Sequence, residues 1–254
     1  LENLRGILLF GTGITDQGLR HLRNLNKLRE LLIDRADITG PGLAHIRNLK
    51  NIEVLWLGDT TVADGGLKHL SGLQNLRELD LTDTKITGGG LAHLSGLEKL
   101  EQLLLGDTKV GDDGLAHLTG LKELKALDLS SSQVSDAGLK HLSELKKLEE
   151  LDLSGTQLSD AGLVHFAGLK NLEELDLGAT QISDAGLAHL VKLENLQVLG
   201  LTLTNVTDAG LAHLRRMEDL RRVALSYTGV SDGAIEQLRE EKPRLRIMFI
   251  PSAR

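Results

Sequence analysis

Apolar residues return at fixed intervals along this chain. Leu1, Leu4, Ile7 and Leu9 are followed by Leu25, Leu28, Leu31 and Ile33, then by Leu49, Ile52, Leu55 and Leu57, and the frame runs on to Met217, Leu220, Val223 and Leu225. The last two members of each set are two residues apart, as in Leu79-Asp80-Leu81, which puts both side chains on one side of a short strand. A turn follows, as in Thr84-Lys85-Ile86, and then in most units Thr or Ser before Asp, as in Thr15-Asp16 and Ser135-Asp136. Hydroxyl and carboxylate at that place are expected to cap a helix by accepting from its free amides. Leu19 and Leu22 give that helix one apolar stripe. Each unit therefore reads as strand, turn and short helix, and a single such unit cannot bury its own apolar face.

The period is 24 residues, and the histidines mark it. They stand at 21, 45, 69, 93, 117, 141, 165, 189 and 213, with no other histidine in the chain. Ten units fill 1–240, and 241–254 keep the strand part of the frame through Ile247 and Phe249, after Pro243 has ended the last helix. The expectation is one α/β solenoid domain over 1–254, with repeats in 1–240 and a capping strand in 241–254. Leu1 already lies inside a repeat, so an upstream cap or domain is expected. Adjacent strands lie ~4.8 Å apart whereas packed helices need roughly 8–10 Å. Stacking therefore predicts a curved arc, with parallel strands on the concave face and helices on the convex face.

The unit 145–168, LKKLEELDLSGTQLSDAGLVHFAG, resembles the leucine-rich repeat superfamily, and most of all bacterial repeats with Thr at the turn and an Asp-Ala-Gly-Leu helix start. The resemblance covers essentially the whole chain. It implies a solenoid whose partners dock on the concave surface, and says little about which partners. One departure is at the turn, where many such repeats carry Asn. Here Thr12, Thr60, Thr84, Thr108, Ser132, Thr156, Thr180, Thr204 and Thr228 form a hydroxyl column, broken at Ala36. We expect these hydroxyls to bond buried turn backbone, because an unmet buried polar group is costly, and Ala36 to mark a weaker turn.

Chemistry is scarce in this pattern. Successive histidines would be separated by roughly the helix spacing, ~8–10 Å, too far to share a zinc ion with ligand bonds of ~2.0–2.1 Å, so they are expected to bond neighbouring backbone. The recurring Asp has no recurring Ser that would make a hydrolase triad. The glycines at 18, 42, 66, 90, 114, 138, 162, 186 and 210 read as close packing between turns, since the Lys-Ser or Lys-Thr ending of a phosphate loop is absent. There is no cysteine, which excludes disulfides, thiolate catalysis and cysteine-ligated metals. No cofactor is expected, no insertion interrupts the repeats to build a cleft, and an enzyme is not expected.

Residues that repeat are explained by the fold, so function is sought where they vary. The outward strand position reads Leu8, Leu32, Trp56, Asp80, Leu104, Asp128, Asp152, Asp176, Gly200 and Ala224. Two residues earlier, Glu150 and Glu174 add to the acidic stretch. With Phe10 near one end and Tyr227 near the other, two apolar zones flank an acidic middle. Charge agrees: the net −7 divides into −13 over 51–212 and +3 on either side. Phe10, Trp56 and Tyr227 are three of only five aromatic residues, and Trp and Tyr are enriched at binding hot spots. The candidate ligand-binding residues are thus Phe10, Leu32, Trp56, Asp80, Asp128, Glu150, Asp152, Glu174, Asp176 and Tyr227. They suit a protein or peptide with a basic segment; nucleic acid, which needs a basic surface, and membrane insertion are not expected. The alternative is an accessory solenoid of a larger protein whose activity lies upstream of Leu1.

Overall fold

A computed structural model describes residues 3–251, and its contacts gather into two compact units, 1–128 and 129–254. The N-terminal unit holds β1 (Gly6–Leu8), β2 (Glu30–Leu32), β3 (Val54–Trp56), β4 (Glu78–Asp80), β5 (Gln102–Leu104) and β6 (Ala126–Asp128). Each pairs in parallel with its sequence neighbour and is shifted by one repeat, as in Leu31↔Leu55. The C-terminal unit holds β7 (Glu150–Asp152), β8 (Glu174–Asp176), β9 (Val198–Gly200), β10 (Arg222–Ala224) and β11 (Arg246–Met248), joined in the same way. Between strands the chain makes short helices of one or two turns, such as Asp64–Leu67 and Leu139–Glu144, and a longer helix at Asp232–Glu241.

The apolar frame is the core of both units. Leu28, Leu31 and Ile33 are wholly buried, as are Leu148, Leu153 and the helix residues Leu139 and Leu142. Phe166 takes the place of a helix leucine and is also wholly buried. Each such side chain contributes roughly 1.5–3 kcal/mol by leaving water.

The hydroxyl column does what the turn requires. Thr60, Thr84, Thr108, Thr156, Thr180, Thr204 and Thr228 are buried, and each donates to the carbonyl three residues earlier at 2.5–2.7 Å. Thr12 does so too, from an exposed position. Ser132 is the exception, its buried Oγ having no partner among the described residues.

The recurring aspartate does something else than cap its own helix. Asp16 accepts the backbone N–H of Thr39 at 2.8 Å through Oδ1 and the Thr39 hydroxyl through Oδ2, so it clamps the next repeat. The same two-point bracket joins Asp64 to Thr87, Asp136 to Ser159, Asp160 to Ser183, Asp184 to Thr207 and Asp208 to Ser231. The hydroxyl residues do cap in the C-terminal unit, where Ser183 accepts from Ala185 and Thr207 from Ala209 at 3.3 Å.

The bracket also explains the glycine column. A Cβ on Gly42 would lie 2.1 Å from Oδ1 of Asp16, and one on Gly186 would lie 2.3 Å from Oδ1 of Asp160. At two joints the aspartate is itself glycine, Gly40 and Gly88, and there the backbones meet: a Cβ on Gly66 would lie 2.6 Å from the Cα of Gly40, and one on Gly114 2.7 Å from the Cα of Gly88. The hydroxyl that the bracket would have held is missing at the same joints, replaced by Ala63 and Gly111.

The histidine expectation fails. Among the described residues no histidine ring bonds backbone; the one ring contact is a donation from Arg20 to His21 at 3.2 Å. The rings lie half-buried or exposed beside the apolar stripe, and Nδ1 of His213 is buried without a partner. His69 is held below its ordinary value by burial first, then by Lys68 and Arg47.

Candidate functional site

The strand face opposite the helical turns carries the varying residues, and each unit presents its own set. In the N-terminal unit Trp56 stands between Leu32 and Asp80 in strand register. Its indole N–H donates to Oε1 of Glu78 at 2.6 Å, which fixes the ring half-buried. Phe10 follows β1 and is 61% exposed. Phe10, Trp56 and Asp80 border one cavity of about 390 Å³ together with Asp34, Arg35 and Asp59. Leu32 neighbours Trp56 without bordering it, and Asp128 lies apart from it on β6, beside Leu104.

Aspartates on this face have a structural duty that their spacing did not reveal. Asp80, Asp152 and Asp176 each accept the backbone N–H two residues on, at 2.8 Å, through Oδ1. The bond tightens the exit from the strand and occupies one carboxylate oxygen. Where Trp56 stands in place of such an aspartate, the N–H of Gly58 is met instead by Asp34 of the preceding repeat, at 2.9 Å. Asp34 is thus the second half of an exchange that lets the sheet carry an indole. Its carboxyl is pushed above the ordinary 3.8, by burial first and also by the charge of Asp80, against a lowering by the Gly58 bond.

Arg35 is the one cation bordering the cavity. Its guanidinium lies 5.8 Å from the centroid of the Phe10 ring and 3.4 Å from Asp59. Arg35 adopts φ 54, in the left-handed region, at a turn position where Gly11 and Gly155 also have positive φ. Tyr227 and Leu203 occupy the same position, at φ 57 and 60. That conformation is unfavourable for bulky side chains, yet both are exposed. Tyr227 therefore lies in the turn after β10.

In the C-terminal unit the carboxylates form two cross-strand pairs, Glu150↔Glu174 and Asp152↔Asp176. Like charges set opposite one another destabilise a sheet unless a cation relieves them. Arg222 supplies part of that relief by reaching Glu174 at 3.5 Å, with Val198 of β9 between them in register. Gly200, next in register to Asp176, leaves the space its carboxylate fills: a Cβ there would lie 2.3 Å from Oδ1. Among the described residues no three His, Asp or Glu side chains stand where they could hold a metal ion, and no helix is long and apolar enough to cross a membrane.

The repeat architecture has known counterparts. Solved structures with the same fold include internalin C2 of Listeria monocytogenes, 27% identical over 81% of this chain and 83% of that one, with a TM-score of 0.63. A leucine-rich-repeat protein of Leptospira interrogans is 20% identical over 98% of this chain and 73% of the other, with a TM-score of 0.69. A second Listeria monocytogenes internalin, InlF, is 19% identical over 97% and 87%, at 0.57. Comparison with functionally curated proteins returns no match. Residues 3–242 match the family model described as leucine-rich repeat region, spanning β1 to β10 with their hydroxyl turns and glycine joints. The chain belongs to the leucine-rich-repeat family.

Proposed function

We propose that this chain is a non-enzymatic recognition domain that binds a protein or peptide through a basic segment laid on the strand face, the face expected to be concave. Leucine-rich repeats, like other solenoids, offer extended binding surfaces, and a protein-binding role follows from the family. The observation that carries the finer reading is the pairing of Glu150 with Glu174 and of Asp152 with Asp176 across neighbouring strands. Among the described residues these four carboxylates have one ion-pair partner, Arg222, at Glu174. A basic partner relieves that repulsion on binding, which is the source of both affinity and charge selection. The non-enzymatic reading rests on the regular repeat, in which strand register sets the carboxylates on this face.

The test is a basic peptide titrated against the folded chain at several salt concentrations. Asp152→Lys with Asp176→Lys should weaken binding at least about tenfold and flatten its salt dependence. Unchanged affinity in a variant that keeps its melting temperature would reject the reading.

A further inference from the structure

The cavity in the N-terminal unit combines features that the repeat does not require. Its floor is Gly58, and a Cβ placed there would lie 3.4 Å from Oδ1 of Asp34 and 3.2 Å from Oδ2 of Asp80. The space above Gly58 is therefore flanked by two carboxylates on opposite sides. Trp56 and Phe10 border the same space, and Asp59, Asp83 and Asp107 rim it. Of these five aspartates only Asp59 has a cation within ion-pair distance, Arg35, among the described residues. The fold needs neither aromatic here: the column of Trp56 holds Asp in four other repeats, and the column of Phe10 holds small or polar residues in the rest.

The molecule already shows how this place holds a cation. Arg35 sets its guanidinium over the Phe10 ring and against Asp59, joining the attraction of a cation for an aromatic face to that for a carboxylate. From this geometry we infer that the cavity is a slot for an arginine side chain of the partner, its guanidinium held between Asp34 and Asp80 above Gly58 and beside the Trp56 indole. A planar fork with five donors can reach two separated carboxylates at once, whereas a lysine ammonium is a compact point charge. Five acidic groups against one basic group leave the slot short of positive charge, which is the complementarity that a guanidinium meets. The inference rests on the basic-segment reading above and gives that segment one anchoring residue type and one place to put it.

Trp56 is the chain's only tryptophan, so its emission reports on the slot alone. The experiment titrates the whole chain with three short peptides that differ only at the central residue, which is arginine, its neutral isostere citrulline, or lysine. The arginine peptide should change Trp56 emission saturably, and the citrulline and lysine peptides should each bind at least about tenfold more weakly, the equivalent of one charge-assisted hydrogen bond. Asp34→Asn with Asp80→Asn keeps both backbone bonds through the amide oxygen and should weaken the arginine peptide by a similar factor. Equal response to all three peptides, or to the parent and the Asp34→Asn, Asp80→Asn variant, would overturn the slot. If calorimetry finds the arginine peptide bound with Trp56 emission unmoved and with sensitivity only to Asp152→Lys, Asp176→Lys, the slot is wrong and the broader reading stands. No heat with any basic peptide would remove both.

Discussion

The two units are built from the same repeat but joined differently. In the C-terminal unit the joints are brackets, with aspartate clamping the serine or threonine 23 residues on, at 136/159, 160/183, 184/207 and 208/231. In the N-terminal unit brackets alternate with bare glycine contacts: Asp16/Thr39, then Gly40 against Gly66, then Asp64/Thr87, then Gly88 against Gly114. Carboxylate and hydroxyl are lost together, never singly, because a half-buried carboxylate without its donor would keep the desolvation cost and lose the bonds. A repeat joint therefore has two self-consistent solutions. One uses directional hydrogen bonds across a small gap, and the other closes the gap with backbone contact.

Glycine replacement should separate them most sharply. At Gly66 a new Cβ meets backbone, which cannot move aside, whereas at Gly186 it meets the end of the Asp160 side chain. Gly66→Ala should cost about 3 kcal/mol and Gly186→Ala about 1–2 kcal/mol, read from chemical unfolding of the full chain; equal losses would show that the two joints are packed alike. Asp160→Ala, which orphans the Ser183 hydroxyl and N–H, should cost ~1–3 kcal/mol. Asp160→Ala with Ser183→Ala should recover part of that loss, and purely additive losses would deny the coupling.

A bracket can also be written into the N-terminal unit. Changing Gly88→Asp, Gly111→Ser and Asp113→Ala reproduces the Ser-Asp-Ala-Gly pattern of the other unit over the waiting Gly114. Gly88→Asp alone should destabilise, since its Cβ would lie 2.5 Å from Oδ1 of Asp113 and 2.8 Å from the backbone nitrogen of Gly114, and the three together should recover part of that loss, read from the same unfolding curves. The smallest effect concerns Asp34. Its carboxyl is raised above 3.8, so the folded chain holds that proton more tightly than the unfolded one. The stability this adds is present below 3.8 and lost as pH rises through the raised value. Asp34→Asn should flatten that part of the profile of urea midpoints against pH, and an unaltered slope would remove Asp34 from the account.

Much of this was readable from the chain because it is local or periodic. The leucine frame dictated strands and core, the hydroxyl column its carbonyl bonds, and the glycine column its close contacts. What periodicity concealed was the partner. A residue that recurs every 24 positions can serve its own helix or the next repeat equally well in the sequence, and the aspartate was read as a cap when it clamps a neighbour. The signal that could have told these apart is the joint absence at Gly40 with Ala63 and at Gly88 with Gly111. The same limit hid the backbone bonds of Asp80, Asp152 and Asp176, and with them the reason for Asp34. Trp56 stood out because its column did not ask for it.

The bracket's reach of 23 residues also constrains how such a chain can gain or lose repeats. Excising one repeat from the C-terminal unit leaves an aspartate facing a serine or threonine, so the new joint matches. Excising one from the N-terminal unit sets Asp16 opposite Ala63, or Gly40 opposite Thr87. The first unit can change length one repeat at a time only at the cost of a mismatched seam, and without one it must change by two.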